Sequence, residues 1–297
     1  MEEKTREYLY KWHSRFEKKN LLNWIPDKQY LKLVYYLRVG KKLNLKDPKD
    51  YNEKVQWLKL YDRKTEYTKM VDKFEAKKYV AGILGEKYII PNIGVWNKFE
   101  DIDFDSLPNQ FVLKCTHDSG GLVIVRNKTE FDYDAARKKI NECLRKNYYW
   151  HAREWPYKNV IPRIIAEQYL ENDPDEGLHD YKVWCFNGKA RYIQYISGRL
   201  DKTYEGFYDL DWNLQPFTYR NPKVLRPMEK PKQMEELIEL ADKLAERHAF
   251  IRNDFYILPD NTIKFGEMTF YTVSGLQKWT PEWADRKLGD MIDLRNI

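Results

Sequence analysis

Residues 251–270, IRNDFYILPDNTIKFGEMTF, carry two pairs of polar side chains among apolar ones: Arg252 with Asp254, and Glu267 with Thr269. Strand side chains alternate between faces, so each pair shares a face of its own strand. If Leu258 pairs with Ile263, Asp254 lies opposite Glu267 and Arg252 opposite Thr269. A slip of one residue turns Glu267 to the other side. That register needs a four-residue connection at Pro259–Thr262, or a bulge there. It sets two carboxylates about 5 Å apart across the pair, where they repel unless a cation relieves them. Mg²⁺ suits the task, because it takes oxygen ligands at about 2.0–2.1 Å and usually shares them with substrate phosphates. Ordinary paired charges on a solvent-facing hairpin are the alternative.

Four other stretches offer chemistry of a compatible kind. Lys114 ends an apolar strand just before His117-Asp118-Ser119-Gly120-Gly121. Glycines let backbone N–H groups approach phosphate oxygens, and a lysine beside them adds a point charge. The loop is neither a Walker A nor a GxGxxG pattern. In AEQYLE, Glu167 closes a strand, and Gln168, Tyr169 and Leu170 form a hinge able to present backbone to an adenine edge and apolar groups to its faces. In HDYKVW, Asp180 and Lys182 share a strand face, as an acid for ribose hydroxyls and a cation for phosphates, or as a plain salt bridge. Lys73, in VDKFEAKKYV, reads alone as a solvated helix lysine. His117 reads as a base or as a tip residue bonded to its own loop.

The elements that must position these residues follow from periodicity. Residues 1 to about 64 read as helices, in EEKTREYLYKWHSRFEKKN, in PDKQYLKLVYYLRVG between Pro26 and Gly40, and in YNEKVQWLKLYDR. Residues 66–84 form another helix, which Gly85 stops. KYIIPNIGVW reads as a strand leading into a turn. QFVLKCT and LVIVRN make a hairpin around the glycine-rich tip. DYDAARKKINECLRKN is an amphipathic helix with Ala136, Ile140, Cys143 and Leu144 on one side, and RIIAEQYL is a strand. DYKVWCFNGKARYIQYI turns at Asn187-Gly188, and YEGFYDLDWNLQPF extends the sheet. A helix over about 231–249 gathers Met234, Leu237, Ile238, Ala241, Leu244 and Ala245, and the opening hairpin follows.

Composition bounds the function. The 297 residues suffice for a sizeable core, and 42% hydrophobic with 33% charged residues marks a folded globular chain. No apolar run approaches membrane-spanning length, and MEEKTREYLYKW is too charged for a secretory signal, so a cytoplasmic protein without stable membrane insertion is expected. Cys115, Cys143 and Cys185 lie far apart with no CxxC, which argues against zinc or a disulfide framework. The net charge of +6, from 52 basic and 46 acidic residues, suits a phosphate-bearing or acidic-sugar ligand and is too slight to indicate nucleic acid. Among the 10 Trp, Trp155, Trp279 and Trp283 are candidates for stacking on a sugar or for the core.

The order Lys73, Lys114, glycine-rich hairpin, Glu167-x-x-Leu170, Asp180-x-Lys182, Arg252-x-Asp254, Glu267-x-Thr269 resembles the ATP-grasp superfamily. NEKVQWLKLYD, LPNQFVLKCTHDSGG, DYKVWCFNGKARYI and FGEMTF look more specifically like its TupA-like branch, associated with bacterial surface polysaccharides. The resemblance covers about residues 45–295. It implies an α+β ATP-grasp fold, two α+β lobes clasping ATP. The implied divisions are an N-terminal helical region at 1–64 and an ATP-grasp domain at 65–297, with a lid at about 107–170 and a C-terminal lobe at about 171–297. It further implies that Lys73 and Lys114 contact phosphates and that Ser119, Gly120 and Gly121 form the lid over them. Glu167 and the backbone of Gln168, Tyr169 and Leu170 would hold adenine, and Asp180 the ribose. Lys182 stands where many members have an arginine that steadies the transferred phosphoryl, and Arg252 would face the reacting centre, so Arg252, Lys182 and Lys114 are the implied catalytic groups. Asp254 and Glu267 would bind Mg²⁺, with Mn²⁺ as a substitute. Thr269 replaces the asparagine usual two residues after the glutamate. The usual proline-glycine that follows is here YTVSGL, and the resemblance implies that Ser274 and Gly275 take over the acceptor-side loop.

The implied reaction is ATP-dependent ligation of a carboxylate to an amine through an acylphosphate. Its expected partners are ATP, a carboxylate on a uronic acid, amino acid or nucleotide-linked sugar, and an amine nucleophile, in capsule or cell-wall glycan biosynthesis. A sugar kinase on the same fold is one alternative. A glycosyltransferase is another, with Asp209-Leu210-Asp211 as a metal-binding DxD, although DIDFD at 101–105 repeats that pattern twice. A non-catalytic glycan- or RNA-binding module is the third.

Overall fold

The computed structural model describes residues 3–172, 176–198, 202–220 and 227–295. The chain opens on α1 (Glu3–Lys18), α2 (Asp27–Val39) and α3 (Tyr51–Tyr61). Gly40 ends α2 at φ 89°, a left-handed conformation that costs glycine little. Asp50 and Glu53 form a capping box that fixes the start of α3.

The expected helix over 66–84 is two helices, α4 (Tyr67–Val71) and α5 (Glu75–Leu84). Asp72 breaks them apart. Its ψ of 112° leaves the helical region, and its Oδ1 accepts from the Phe74 N–H at 2.9 Å. This is the competition by which aspartate interrupts helices. Arg163 holds the other oxygen at 2.7 Å. The break frees the Lys73 N–H to bond Thr116 O at 3.0 Å, tying this corner to the glycine-rich loop.

Two antiparallel sheets follow. The first contains β1 (Asn92–Trp96), β2 (Phe111–Cys115), β3 (Leu122–Val125) and β4 (Ile164–Gln168), in the order β1-β4-β2-β3. Helix α6 (Tyr133–Leu144) covers it, burying Ala136 and Ile140 against Phe111, Leu113, Val125 and Ile164. This unit begins with β1, ahead of the expected lid boundary near residue 107.

The second sheet contains β5 (Asp180–Phe186), β6 (Lys189–Ser197), β7 (Tyr204–Tyr208), β8 (Phe250–Ile257) and β9 (Ile263–Thr269), in the order β7-β6-β5-β8-β9. Asn187 and Gly188, at φ 49° and 79°, supply the positive φ values that the β5–β6 turn demands. Helix α7 (Met234–Ala245) lays Leu237, Ala241 and Leu244 on this sheet. Tyr51, Val55 and Leu58 of α3 join the same core, across the expected divide near residue 64, and α8 (Trp283–Asp290) closes it with Ala284 and Leu288. The chain is therefore mixed α and β, with each sheet backed by its own helices.

Trp279 is 5% exposed within this core, and the partly buried Trp155 packs against it. Trp283 is 47% exposed, with its edge on Phe217. Asp209 closes a turn, accepting from the backbone N–H groups of Asp211 at 3.1 Å and Asn213 at 2.8 Å. Asp103 does the same for Asp105 at 3.1 Å. The first aspartates of Asp209-Leu210-Asp211 and Asp103-Phe104-Asp105 are thus engaged in local turns.

Candidate active site

The C-terminal hairpin sets Arg252 opposite Thr269 and Asp254 opposite Glu267, the register read from the sequence. The means differs. Ile257 pairs with Ile263, leaving Leu258–Thr262 as the connection, and the pairing shifts between Asp254 and Phe255. Gly266 lies in that bulge, where an added Cβ would sit 3.1 Å from Asp254 O and 3.1 Å from the Tyr256 ring. A side chain there would require the neighbouring backbone or ring to give by a few tenths of an ångström, so glycine suits the close approach.

Strand β5 pairs with the other side of β8 and sets Lys182 opposite Asp254. Lys182, Asp254 and Glu267 thus form one row across three strands, and Asp180 projects from the same face of β5. The row is filled with charge. Arg252 grips Asp254 with two bonds, Nε to Oδ1 at 2.6 Å and Nη2 to Oδ2 at 2.7 Å. The same Nη2 reaches Glu267 Oε1 at 2.9 Å. Lys182 pairs with Asp254 Oδ2 and lies 3.2 Å from Asp180 Oδ1. The expected repulsion between the carboxylates is therefore relieved by Arg252 and Lys182. Burial pushes the Glu267 carboxyl up, but Arg252, Lys182 and Lys73 outweigh it and bring it down to about 2.

The donors suit a hard divalent cation. Asp254 and Glu267 offer carboxylate oxygens in register, and the hydroxyl of Thr269 donates to Glu267 Oε1 at 3.1 Å, an outer rather than a direct place. A cation there would share Asp254 and Glu267 with Arg252 and Lys182.

The first sheet contributes a second charged group. Glu167 on β4 stands opposite Val112, and Lys114 lies two residues along β2, on the same face. Glu167 is 4% exposed. One of its oxygens takes Lys77 at 2.7 Å, and the other takes Lys114. Burial pushes the Glu167 carboxyl up, yet Lys114 and Lys77 prevail and hold it below the ordinary carboxylate range. Its carboxylate faces two lysines and lines the same cleft as Gln168, Tyr169 and Leu170. Lys77 is a site residue that the sequence reading passed over, hidden among the other charges of a helix.

Lys73 donates to the carbonyl of Asp118 at the hairpin tip. The Asp118 side chain turns back to accept from the Gly121 N–H at 2.9 Å. An added Cβ at Gly121 would lie 2.8 Å from the Cys115 side chain, whereas one at Gly120 would meet nothing within 4 Å. His117 is buried, with Nε2 at 3.1 Å from the carbonyls of both Cys143 and Lys146, so it joins the hairpin to the end of α6 rather than to its own loop.

Between the two sheets lies a cleft of about 420 Å³. Lys73, Lys114, Ser119, Gly120, Gly121, Glu167, Gln168, Tyr169, Leu170, Asp180, Lys182, Asp254 and Glu267 all line it. Arg252 and Thr269, which share strand faces with Asp254 and Glu267, are not among the lining residues. Ile90, Val112, Leu122, Ile124 and Tyr256 add an apolar wall that strand periodicity gave no reason to separate from core.

A family model for TupA-like ATP-grasp proteins matches residues 53–293. The chain belongs to the TupA-like ATP-grasp family. Its fold is accordingly the α+β ATP-grasp fold, and the match begins two residues into α3. Among solved structures, this TupA-like chain resembles D-alanine–D-alanine ligase from Bacillus anthracis complexed with ATP, at 20% identity and TM-score 0.39, over 68% of this chain and 55% of that one. It also resembles L-amino acid ligase from Bacillus licheniformis, at 13% identity and TM-score 0.46, over 84% and 57%. D-Alanine–D-alanine ligase from Coxiella burnetii follows at 13% and 0.41, over 80% and 58%. The TupA-like chain thus spans a little over half the length of each of these structures. No curated protein matches it.

Proposed function

We propose that the protein is an ATP-dependent carboxylate–amine ligase. The observation that carries this reading is one cleft in which Lys73, Lys114 and Lys182 meet the carboxylates of Asp254 and Glu267 beside an apolar wall. Such a cleft suits a nucleotide with its base on the wall and its phosphates among the lysines.

In this reading Lys73 and Lys114 hold phosphate oxygens, and the N–H groups of Ser119, Gly120 and Gly121 cover them. Glu167 acts as a positioning residue that orients Lys114. The backbone from Gln168 to Leu170 borders the adenine edge, with Tyr169 and Leu170 beside it, and Asp180 takes the ribose hydroxyls. Asp254 and Glu267, backed by Thr269, would hold Mg²⁺, which when bound supplies charge neutralisation to the phosphates. Lys182 and Arg252 stabilise negative charge as it shifts from the γ-phosphate toward ADP. A substrate carboxylate oxygen bonds to the γ-phosphorus and ADP leaves. The amine nitrogen then bonds to the acyl carbon, phosphate leaves and the nitrogen gives up a proton. The protein mainly aligns the partners and excludes water. The carboxylate is proposed to be a uronic acid, free or nucleotide-linked, or an amino acid, in surface-polysaccharide biosynthesis, which agrees with the family but rests on it alone.

The test is product analysis. With Mg-ATP, uronic acids and a pool of amines, ADP and free phosphate should appear together, and only when both acceptors are present. Phosphate retained on a sugar would replace the ligase by a kinase. Absence of any thermal stabilisation by Mg-ATP would remove the nucleotide site itself.

A further inference from the structure

The outward face of α1 takes no part in the cleft. Its inward stripe, Arg6, Tyr10, His13 and Glu17, seats the helix on α2. His13 packs on Tyr30 with ring centroids 5.4 Å apart, and Arg38 donates to the Tyr10 hydroxyl at 3.0 Å. The opposite side carries Tyr8, Trp12 and Phe16 one turn apart, with Leu9 beside them, exposed by 59%, 40%, 41% and 41%. Leu21 and Trp24 continue the apolar run into the next turn at 53% and 79% exposed. Lys4, Lys11, Arg15 and Lys18 are exposed along the same helix, and Lys19 just beyond its end, and the Arg15 guanidinium lies 5.1 Å over the Trp12 ring. Residues 3–19 hold six basic side chains against three acidic ones, and one of those acids, Glu3, is paired with Lys278.

We propose that this face of α1 docks the protein on an anionic lipid surface. A helix with aromatic and aliphatic residues on one exposed arc and lysines and arginines beside it lies in the plane of a membrane interface. Trp and Tyr favour that depth because each joins an apolar ring to a polar end. The basic residues add attraction to anionic headgroups. A second copy of the chain is a poorer occupant, because a two-fold contact through this face would set its excess cations against each other. Docking is peripheral: no helix among the described residues is long and apolar enough to cross a membrane.

The test is co-sedimentation of the full chain with vesicles of phosphatidylcholine alone and of phosphatidylcholine mixed with phosphatidylglycerol. Binding to the mixed vesicles, weakened by added salt, is expected. Neutralising Lys11 and Arg15 to Gln should lower the partition coefficient about fivefold for each cation. Trp12→Ser with Phe16→Ser should lower it at least about tenfold. Both pairs of positions are exposed, so unfolding curves should match the parent and exclude misfolding as the cause. Failure to bind the mixed vesicles, equal binding to both kinds, or binding that survives Trp12→Ser with Phe16→Ser would each overturn the proposal. So would a dimer that the serine variant dissociates while vesicles go unbound.

Discussion

Glu167→Gln removes one charge from the most enclosed part of the site. The carboxylate is 4% exposed and bonded on one oxygen to Lys77, on the other to Lys114. The amide that replaces it offers a single acceptor and turns its N–H donors toward the other ammonium. Lys77 has a side chain only 9% exposed, so its charge loses its counter-ion where water cannot substitute. Breaking a buried pair in this way costs about 3–5 kcal/mol. A chain of 297 residues has an unfolding entropy near 0.6 kcal/mol per kelvin, about 2.1 cal/mol/K per residue, so the midpoint should fall by about 5–8 °C. Because Lys114 loses its orienting partner, the stabilisation by Mg-ATP should shrink as well. Differential scanning calorimetry with and without nucleotide reads both effects. The pH dependence supplies a sign. The folded Glu167 carboxyl is held below its ordinary value by Lys114 and Lys77 against burial. Its contribution is therefore present above the unfolded pKa near 4.5 and is lost as pH falls through the lower folded value. The variant should lack that part of the acid-side decline. A midpoint within about 1 °C of the parent, with an unchanged nucleotide shift, would refute the claim that this carboxylate organises the two lysines.

Lys114→Ala and Glu267→Gln should each lower ATP turnover at least about a hundredfold while circular dichroism stays that of the folded chain, read by coupled ADP release. Gly121→Ala should weaken nucleotide binding, since its Cβ would fall 2.8 Å from the Cys115 side chain, whereas Gly120→Ala meets nothing within 4 Å and should keep the site; isothermal titration separates them. Glu267 is brought down to about 2, so it stays ionised through mild acid and its stabilising share is lost only between about 4.5 and about 2. A Glu267→Gln chain that keeps the parent's stability loss over that window would deny the shift. Val273 holds φ at 47°, a conformation unfavourable to a β-branched residue. Val273→Gly should therefore raise the unfolding free energy by on the order of 1 kcal/mol, and a clear fall would show that the side chain matters more than the strain.

The site was most legible where a rule of alternation applied. Strand periodicity put Arg252 with Asp254 and Glu267 with Thr269, and a cation site shared by two carboxylates called for Asp254 opposite Glu267, the register that the hairpin has. The bulge at Gly266 that achieves it was not legible, because a single glycine inside a strand does not say on which side the ladder slips. Helical periodicity likewise ran straight through Asp72. A capping bond to the Phe74 N–H is local, but the Arg163 that steadies it comes from 91 residues away. The apolar wall of Ile90, Val112, Leu122, Ile124 and Tyr256 escaped because a residue facing a cleft and one facing a core obey the same alternation. The proximity of Cys115, Cys143 and Asp118, whose ligand atoms lie within 4.8 Å of one another, escaped for a related reason. Cys115 lies on strand β2 and Cys143 on helix α6, far apart in sequence, so only the tertiary fold brings them together.

The bond from Lys73 to the Asp118 carbonyl makes one ammonium group a latch. It fastens the hairpin tip to the corner between α4 and α5. A nucleotide arriving among the lysines would compete with that carbonyl for the same protons, so accepting the guest and unfastening the flap become a single event. The affinity seen by experiment would then be the surplus of one attachment over the other, and shortening the Lys73 side chain would loosen the flap even in the absence of ATP.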